Sequence, residues 1–186
     1  MKMVCKYSSD ENSLSVRMEL EIDGSGVCDI DTGENFLDKM LTRMASDAQL
    51  DLTVSTNKKA TCLEKKLYRG IGTAFGSLLK EHYGRFDGRE LIGSSTDIIH
   101  DALITCAVNL AGRTHLNYAL DFTVPNIENI SVDSIYEFYY SVVAASGISL
   151  HFIEHCGAKR VDNYHLAETS FFSFGKAVKN AFSDAV

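Results

Sequence analysis

The chain has 186 residues, of which 45% are hydrophobic and 23% charged, so it can bury a core as one globular domain. Its net charge of -7 argues against a nucleic-acid surface, because phosphate binding needs clustered and uncompensated Lys and Arg. We expect a soluble cytoplasmic protein without a membrane partner, since no stretch approaches the roughly 20 apolar residues that span a bilayer and no apolar signal region opens the chain.

The first half alternates strand-like and helix-like patterns. Alternating apolar residues from Leu14 to Ile22 stop at an Asp-Gly pair, which predicts a half-buried strand followed by a turn. Residues 34–47 then show one apolar helical face, residues 50–56 a short strand, and residues from about Leu63 to Tyr83 a second helix.

The second half contains a similar series of patterns. Two strands, 102–112 and 114–124, are predicted to form a hairpin through Gly112 and Arg113, ahead of the only proline. A helix over 134–146, capped by Ser131 or Asp133, a strand over 147–153 and a closing helix over 163–182 follow.

The two closing helices share a register at an offset of ninety-nine residues. The segment KKLYRGIGTAFG aligns with YHLAETSFFSFG, which indicates an internal duplication. In this alignment Lys65, Lys66 and Arg69 correspond to Tyr164, His165 and Glu168.

The second of these helices carries a pair of metal-ligand types, and the first does not. His165 and Glu168 lie three residues apart on one helical face, a spacing that can ligate a metal. Such a pair alone is also typical of an ordinary surface, and the first copy has only positive charge at the matching positions.

A set of short motifs extends in order over almost the whole chain. They are IDGSG at 22–26, TGENFLDKML at 32–41, LDL at 50–52, HDAL at 100–103, NLAGR at 109–113, LH at 150–151 and YHLAE at 164–168. Each motif alone is weak, but their order and spacing together are specific. In this order and spacing the chain resembles the imidazoleglycerol-phosphate dehydratase family of histidine biosynthesis.

The resemblance implies an α+β fold of duplicated half-domains, in which two sheets enclose a helical bundle, as in the second domain of ribosomal protein S5. It implies one domain over 1–186 made of two repeats, about 1–88 and 89–186. Family members form trimers that assemble into a 24-subunit shell. They bind two manganese ions between subunits through imidazole and carboxylate groups, and the metals act as Lewis acids while water is eliminated.

Carried over residue by residue, the resemblance implies that most of this chemistry is lost. Lys39, Lys65, Lys66, Arg69 and Tyr164 stand at ligand positions, and only His151, His165 and Glu168 remain of the eight. The family's catalytic Glu falls near Ser13, with Glu11 as a weak substitute. Arg113 is the one retained candidate for substrate binding, because the other phosphate positions read Leu91 and Phe172.

Residues that a fold needs are kept, while residues that the chemistry needs are mostly replaced. Four cations, Lys39, Lys65, Lys66 and Arg69, equal the charge of two divalent ions, so we hypothesise that they neutralise Glu168 and other acids in place of the metals. The alternative at this point is that these side chains are simply solvated.

Three other signals are given less weight. The string HFIEH at 151–155 matches an inverted zinc-peptidase motif but continues a strand pattern, in which positions four apart do not clasp one ion. The glycines at 70–76 miss the dinucleotide-loop spacing, and the aromatic residues at 136–140 are predicted to be core and subunit contacts. Five scattered cysteines without a CxxC pair predict free thiols.

The sequence therefore leaves three functions open. The first is a family member without normal dimanganese dehydratase activity, needing no cofactor, forming a trimer rather than the larger shell, and binding a small anion. The second is an active dehydratase with a reduced manganese site built from His151, His165 and Glu168, with His155 or Asp162. The third is another reaction that uses Lys65 or Lys66 as a base or Schiff-base former.

Overall fold

Each half of the chain folds as three strands, a helix, a strand and a helix, and the second half adds a small strand pair before its first helix. The computed structural model describes residues 2–8, 13–58, 62–86, 91–111, 113–155 and 161–183. The first half contains β1 (Met3–Ser8), β2 (Leu14–Glu21), β3 (Cys28–Asp31), α1 (Asn35–Ser46), β4 (Asp51–Lys58) and α2 (Glu64–Tyr83). The second contains β5 (Ile92–Ile99), β6 (Ala102–Asn109), β7 (His115–Ala119), a small pair β8 (Asn126–Ile127) and β9 (Ile130–Ser131), α3 (Val132–Ser146), β10 (Ser149–Glu154) and α4 (Asn163–Ser183).

The two four-stranded sheets have the same topology. The first sheet has the order β1-β2-β4-β3 and the second the order β5-β6-β10-β7. In each sheet the last pair is parallel and the other pairs are antiparallel. The prediction of an α+β fold with duplicated half-domains and two sheets is confirmed.

The predicted hairpin between the second half's strands is wrong. β6 and β7 are both strands, but β10 lies between them, antiparallel to β6 and parallel to β7. The physical reason is that β7 continues through α3 into β10, a crossover that a parallel pair requires. Gly112 lies outside the described residues.

Each helix of the first half packs against a helix of the second half. α2 packs against α3, and α1 packs against α4. α2 also covers β1 and β2, while α4 covers β5 and β6, so the helices fill the space between the inner faces of the sheets. Among the described helices, none combines the length and the apolar character that crossing a bilayer requires.

Local sequence explains where α1 and α3 begin. Glu34 caps α1 by accepting from the backbone N–H groups of Phe36 and Leu37, at 3.0 and 2.8 Å, and it accepts from the Tyr68 hydroxyl at 3.0 Å. Burial, reinforced by the nearby Glu34 carboxylate, raises the pKa of Tyr68. Ser131, one of the two predicted caps, accepts from the Asp133 N–H at the start of α3.

Two glycines at equivalent positions allow the helix crossings. A Cβ at Gly76 would overlap the Val142 carbonyl of α3, and a Cβ at Gly175 would overlap the Met44 carbonyl of α1. α2 and α4 start ninety-nine residues apart, as these glycines do, so the predicted register of the closing helices is confirmed.

Candidate functional site

The positive residues at the start of α2 form ion pairs with α3. The Lys65 ammonium lies 2.9 Å from Asp133, and the Arg69 guanidinium Nε lies 2.7 Å from Glu137. The two cations lie four residues apart on α2, and the two acids lie four residues apart on α3. The two ion pairs therefore lie one turn apart along the helix crossing. The side chain of Glu137 is only 17% exposed, and its hydrogen bond and charge raise the pKa of Arg69.

Lys66 lies on the same turn of α2. Its residue is half-buried, and its backbone N–H donates to the Leu63 carbonyl at 3.0 Å. Lys65, in contrast, is exposed and ion-paired, whereas a catalytic lysine base needs a desolvated amine without a counter-charge. The Schiff-base hypothesis therefore has no support at Lys65.

The start of α4 places the retained ligand types in two different surroundings. His165 Nδ1 lies 2.9 Å from the Asp101 carboxylate in the β5–β6 turn, and its ring lies 4.3 Å from that of His100. This hydrogen bond, together with the Asp162 backbone N–H, lowers the pKa of Asp101. Glu168, one turn later, faces α1 instead and lies 3.4 Å from Arg43 Nε.

A cleft of about 470 Å³ lies between α1 and α4. It contains two of the residues that replace family ligands, Lys39 and Tyr164, together with Glu168 and Arg43. Tyr164 packs edge-on against Phe36 at 5.8 Å, and burial with the nearby Glu168 charge raises its pKa. Residues of two separate motifs, 32–41 and 164–168, thus meet in one place.

The hypothesis that the four replacement cations neutralise Glu168 and other acids stays a prediction, because Lys65 and Arg69 pair with acids of α3 while Lys39 lines the same cleft as Glu168. Arg43 of α1, which that hypothesis did not include, provides the cation beside Glu168, and Arg69 binds Glu137. The reason is geometric, because α4 crosses α1 while α2 crosses α3.

His151 is separated from His165 and Glu168 by the sheet. Its neighbours Leu150 and Phe152 are buried against the helices, so His151 points to the opposite, outer face, where its ring lies 5.1 Å from that of His115. The segment that contains His151 is a strand, β10, as predicted.

The two other residues that the sequence offered for a reduced metal site make contacts of their own. His155 Nε2 lies 2.7 Å from Thr105 Oγ1. The Asp162 carboxylate accepts a hydrogen bond from the Tyr164 N–H at 2.8 Å and so has a structural role.

The remaining predicted positions are distributed around the fold. Arg113 is exposed between β6 and β7, and its carbonyl accepts from the Ser149 hydroxyl at 2.6 Å; its role in substrate binding stays a prediction. Leu91 is buried in the core, and Phe172 lies under the Arg43 guanidinium at 4.9 Å. Glu11 lies outside the described residues.

These residues do not fit the dimanganese centre that the family resemblance implies. Manganese needs oxygen or nitrogen lone pairs, whereas ammonium and guanidinium groups are donors only. Within the described ranges of one protomer, no three His, Cys, Asp or Glu side chains converge as a metal site. Five of the eight implied positions therefore supply no ligand of the expected type.

Three partners of these residues were missed in the sequence. Asp133 and Glu137 on α3 match the spacing of Lys65 and Arg69 on α2, and that shared four-residue spacing was the available signal. Arg43 gave no such signal, because its pairing depends on the crossing of α1 with α4.

Comparisons with known proteins agree over nearly the full chain. The model of a family described as imidazoleglycerol-phosphate dehydratase matches residues 32–184. The protein of that name from Lachnoclostridium phytofermentans is 28% identical over 181 residues, covering 97% of this chain and 91% of the relative. The one from Synechococcus sp. (strain WH7803) is 31% identical over 166 residues, covering 89% and 81%. The crystal structure of imidazoleglycerol-phosphate dehydratase from Staphylococcus aureus aligns with a TM-score of 0.80 over 97% of this chain and 98% of that chain, at 21% identity, which shows a shared fold.

Proposed function

Because the chain belongs to the imidazoleglycerol-phosphate dehydratase family, we propose that it is a member that keeps the family fold and lacks the ordinary dimanganese dehydratase activity. It carries no manganese centre of the family type, and any small ligand it takes is an anion rather than a metal ion. The similar proteins named above are dehydratases, so the proposal sets this chain apart from its relatives by its own residues.

The observation that carries the proposal is the pairing of Lys65 and Arg69. Both stand where the resemblance places metal ligands, and both are held by carboxylates of α3 within the same protomer. A divalent ion approaching this end of α2 would meet two cations instead of lone pairs.

A second candidate is an active dehydratase with a reduced metal site. The observation in its favour is the hydrogen bond between His165 Nδ1 and Asp101, because a carboxylate on one ring nitrogen commonly orients the other toward a metal. This arrangement leaves Nε2 of His165 as a ligand, with Glu168 one turn away.

Metal analysis and an activity assay separate the two candidates. We expect the purified full chain, incubated with manganese and dialysed, to hold less than a stoichiometric amount and to give no turnover of imidazoleglycerol phosphate. The Staphylococcus aureus dehydratase, treated in the same way, is the positive control. Stoichiometric manganese together with turnover would overturn the proposal, and loss of both in a His165→Gln variant would then assign the reduced site.

We further propose that the chain forms trimers through the outer face of the second sheet. The outward strand residues that the structure describes there include no Asp, Glu, Lys or Arg, and Ile92, Ile98 and Ile153 are 52%, 66% and 48% exposed. The outer face of the first sheet instead carries seven charged residues: Lys6, Arg17, Glu19, Glu21, Asp29, Asp31 and Asp51. An uncharged sheet face with large aliphatic side chains is a typical interaction surface.

The mass in solution tests this proposal. Light scattering should give about 62 kDa, three times the 20.5 kDa of one chain. Ile98→Lys combined with Ile153→Lys should lower the mass to that of one chain, while Val4→Lys on the first sheet should leave it unchanged. A 24-subunit species, or a trimer that survives the double substitution, would contradict it.

A further inference from the structure

The outer face of the first sheet carries a group of hydrogen-bond donors at one end. Three strands contribute two adjacent rows of cross-strand neighbours. In the first row Lys6 lies opposite Arg17 and Arg17 opposite Ser55, and in the second Ser8 lies opposite Ser15 and Ser15 opposite Asn57. All six residues are exposed on the same face of the sheet.

These six residues line a cleft of about 290 Å³. No carboxylate belongs to the part of the cleft lining that the structure describes. The side chains of Lys6, Ser8, Ser15, Ser55 and Asn57 make no hydrogen bond or ion pair with another described residue, so their polar groups face solvent in the cleft. Such a concentration of unshared donors is notable on a chain whose net charge is -7.

Among the residues that the structure describes, the acids beside the cleft leave positive charge in excess. Glu19 accepts from Arg17 at 2.6 Å and pairs with Lys2 at 2.5 Å, and both contacts lower its pKa. One carboxylate is therefore shared by two cations, and Lys6 adds a third. Asp31 is the next acid in the row, but it lies on β3 beyond Ser55, which places its strand about 10 Å from that of Arg17.

We propose that this cleft binds a small tetrahedral oxyanion, either phosphate or the phosphate group of a monoester. Arg17 keeps Nη1 free of Glu19 and can donate from it, Lys6 supplies a second point charge directly across the strand pair, and the three serine hydroxyls supply neutral donors. Opposite side chains on paired strands are about 5 Å apart, a spacing that lets one oxyanion contact both cations.

The site is independent of the manganese question and of the family's own phosphate position. Its residues lie on β1, β2 and β4, whereas the retained candidate Arg113 lies between β6 and β7 of the other sheet. A protein with or without dehydratase activity could use it, so either proposal can fail alone.

Calorimetric titration of the full chain with sodium phosphate at low ionic strength tests the site. We expect a millimolar dissociation constant that weakens as sodium chloride is added, because the attraction is between exposed charges. Arg17→Gln and Lys6→Gln should each weaken binding at least fivefold, and Ser15→Ala about twofold. Because Arg17→Gln also frees Glu19, Lys6→Gln is the cleaner variant, and unchanged melting temperatures confirm folding.

One surface substitution serves as a control. Lys80→Gln removes one exposed charge from α2, away from the cleft, and should leave phosphate affinity unchanged. Phosphate affinity that is unchanged in both Lys6→Gln and Arg17→Gln, or that falls as much in Lys80→Gln as in those variants, would overturn the proposal.

Two further ligands define the chemistry. Methyl phosphate that binds as tightly as phosphate supports a monoester as the occupant, whereas binding of inorganic phosphate alone supports a free anion. Acetate binding as tightly as phosphate would overturn the assignment to a tetrahedral oxyanion.

Discussion

The two helix crossings of this protein are built alike but carry opposite charge arrangements. At the α2–α3 crossing the closing helix of the first half supplies the cation, Arg69, and α3 supplies Glu137. At the α1–α4 crossing the closing helix of the second half supplies the acid, Glu168, and α1 supplies Arg43. Arg69 and Glu168 are equivalent positions of the duplication, so one Arg-Glu contact is kept at each crossing with its direction reversed.

This difference concerns positions at which the family resemblance places metal ligands. At those positions the closing helix of the first half carries cations, and Lys65 and Arg69 bind acids of the same chain. The closing helix of the second half has kept His165 and Glu168, and these are held by Asp101 and Arg43. Both crossings are thus compensated within the protomer.

The strongest test of the shared design is the glycine at each crossing. Gly76→Ala and Gly175→Ala should each lower the free energy of unfolding by about 1–3 kcal/mol, because the new Cβ would overlap a carbonyl of the facing helix. Urea denaturation followed by circular dichroism measures the loss.

The matched control for this substitution is Gly84→Ala at the end of α2. The backbone there is right-handed helical and the nearest atom to a new Cβ is 3.3 Å away, so stability should change by less than about 0.5 kcal/mol. Equal losses at all three glycines would show that the crossings have no special packing.

Charge coupling distinguishes the two crossings. A double-mutant cycle with Arg69→Gln and Glu137→Gln should give a coupling free energy of about 0.5–1 kcal/mol, since the pair is close but its arginine is half-exposed. Arg43→Gln with Glu168→Gln should give less, because Arg43 Nε is 3.4 Å away and makes no hydrogen bond within the described residues.

A double-mutant cycle also tests whether a cation of one crossing interacts with an acid of the other. Arg69→Gln and Glu168→Gln should be additive if the charges meet only their partners within one protomer. A clear coupling between these two positions would show instead that they meet between subunits, where the family resemblance places the metals.

The smallest expected effect is on the decline of folding stability at acidic pH. The pKa of Asp101 is lowered by the His165 hydrogen bond, so the folded protein binds fewer protons there than the unfolded chain, and this stabilisation is present above about pH 4 and lost as the pH falls further. Asp101→Asn should therefore flatten the decline of the urea midpoint between pH 5 and pH 3.

His165→Gln should produce most of the same flattening, since it removes the main donor to Asp101. If neither variant changes the slope of stability against pH, the contact does not stabilise the start of α4 in solution.

The local patterns of the sequence predicted most helices and strands, but they did not predict which strands pair with each other. The apolar face of α1 and the alternation of β2 identified both, because those periods report burial on one side. β1, β3 and β5 were missed, and β3, with four residues, is too short for a clear alternation. The hairpin prediction failed because strand order depends on the crossover through α3, which no local pattern contains.

The sequence predicted which positions form the candidate site, but it did not predict which side chains these residues contact. The motifs alone predict that five residues stand at ligand positions: Lys39, Lys65, Lys66, Arg69 and Tyr164. Their partners Asp133, Glu137 and Arg43 come from other motifs or from none, so only the helix crossings bring them together.

By itself the sequence determined the family and the duplication, because motif order and a ninety-nine-residue register are properties of the chain. Only the tertiary structure decided which charges meet, that His151 lies on the far side of the sheet from His165, and that Lys6 and Arg17 share a cleft. Those outcomes depend on strand register and helix crossing, which bring together residues that are far apart in the sequence.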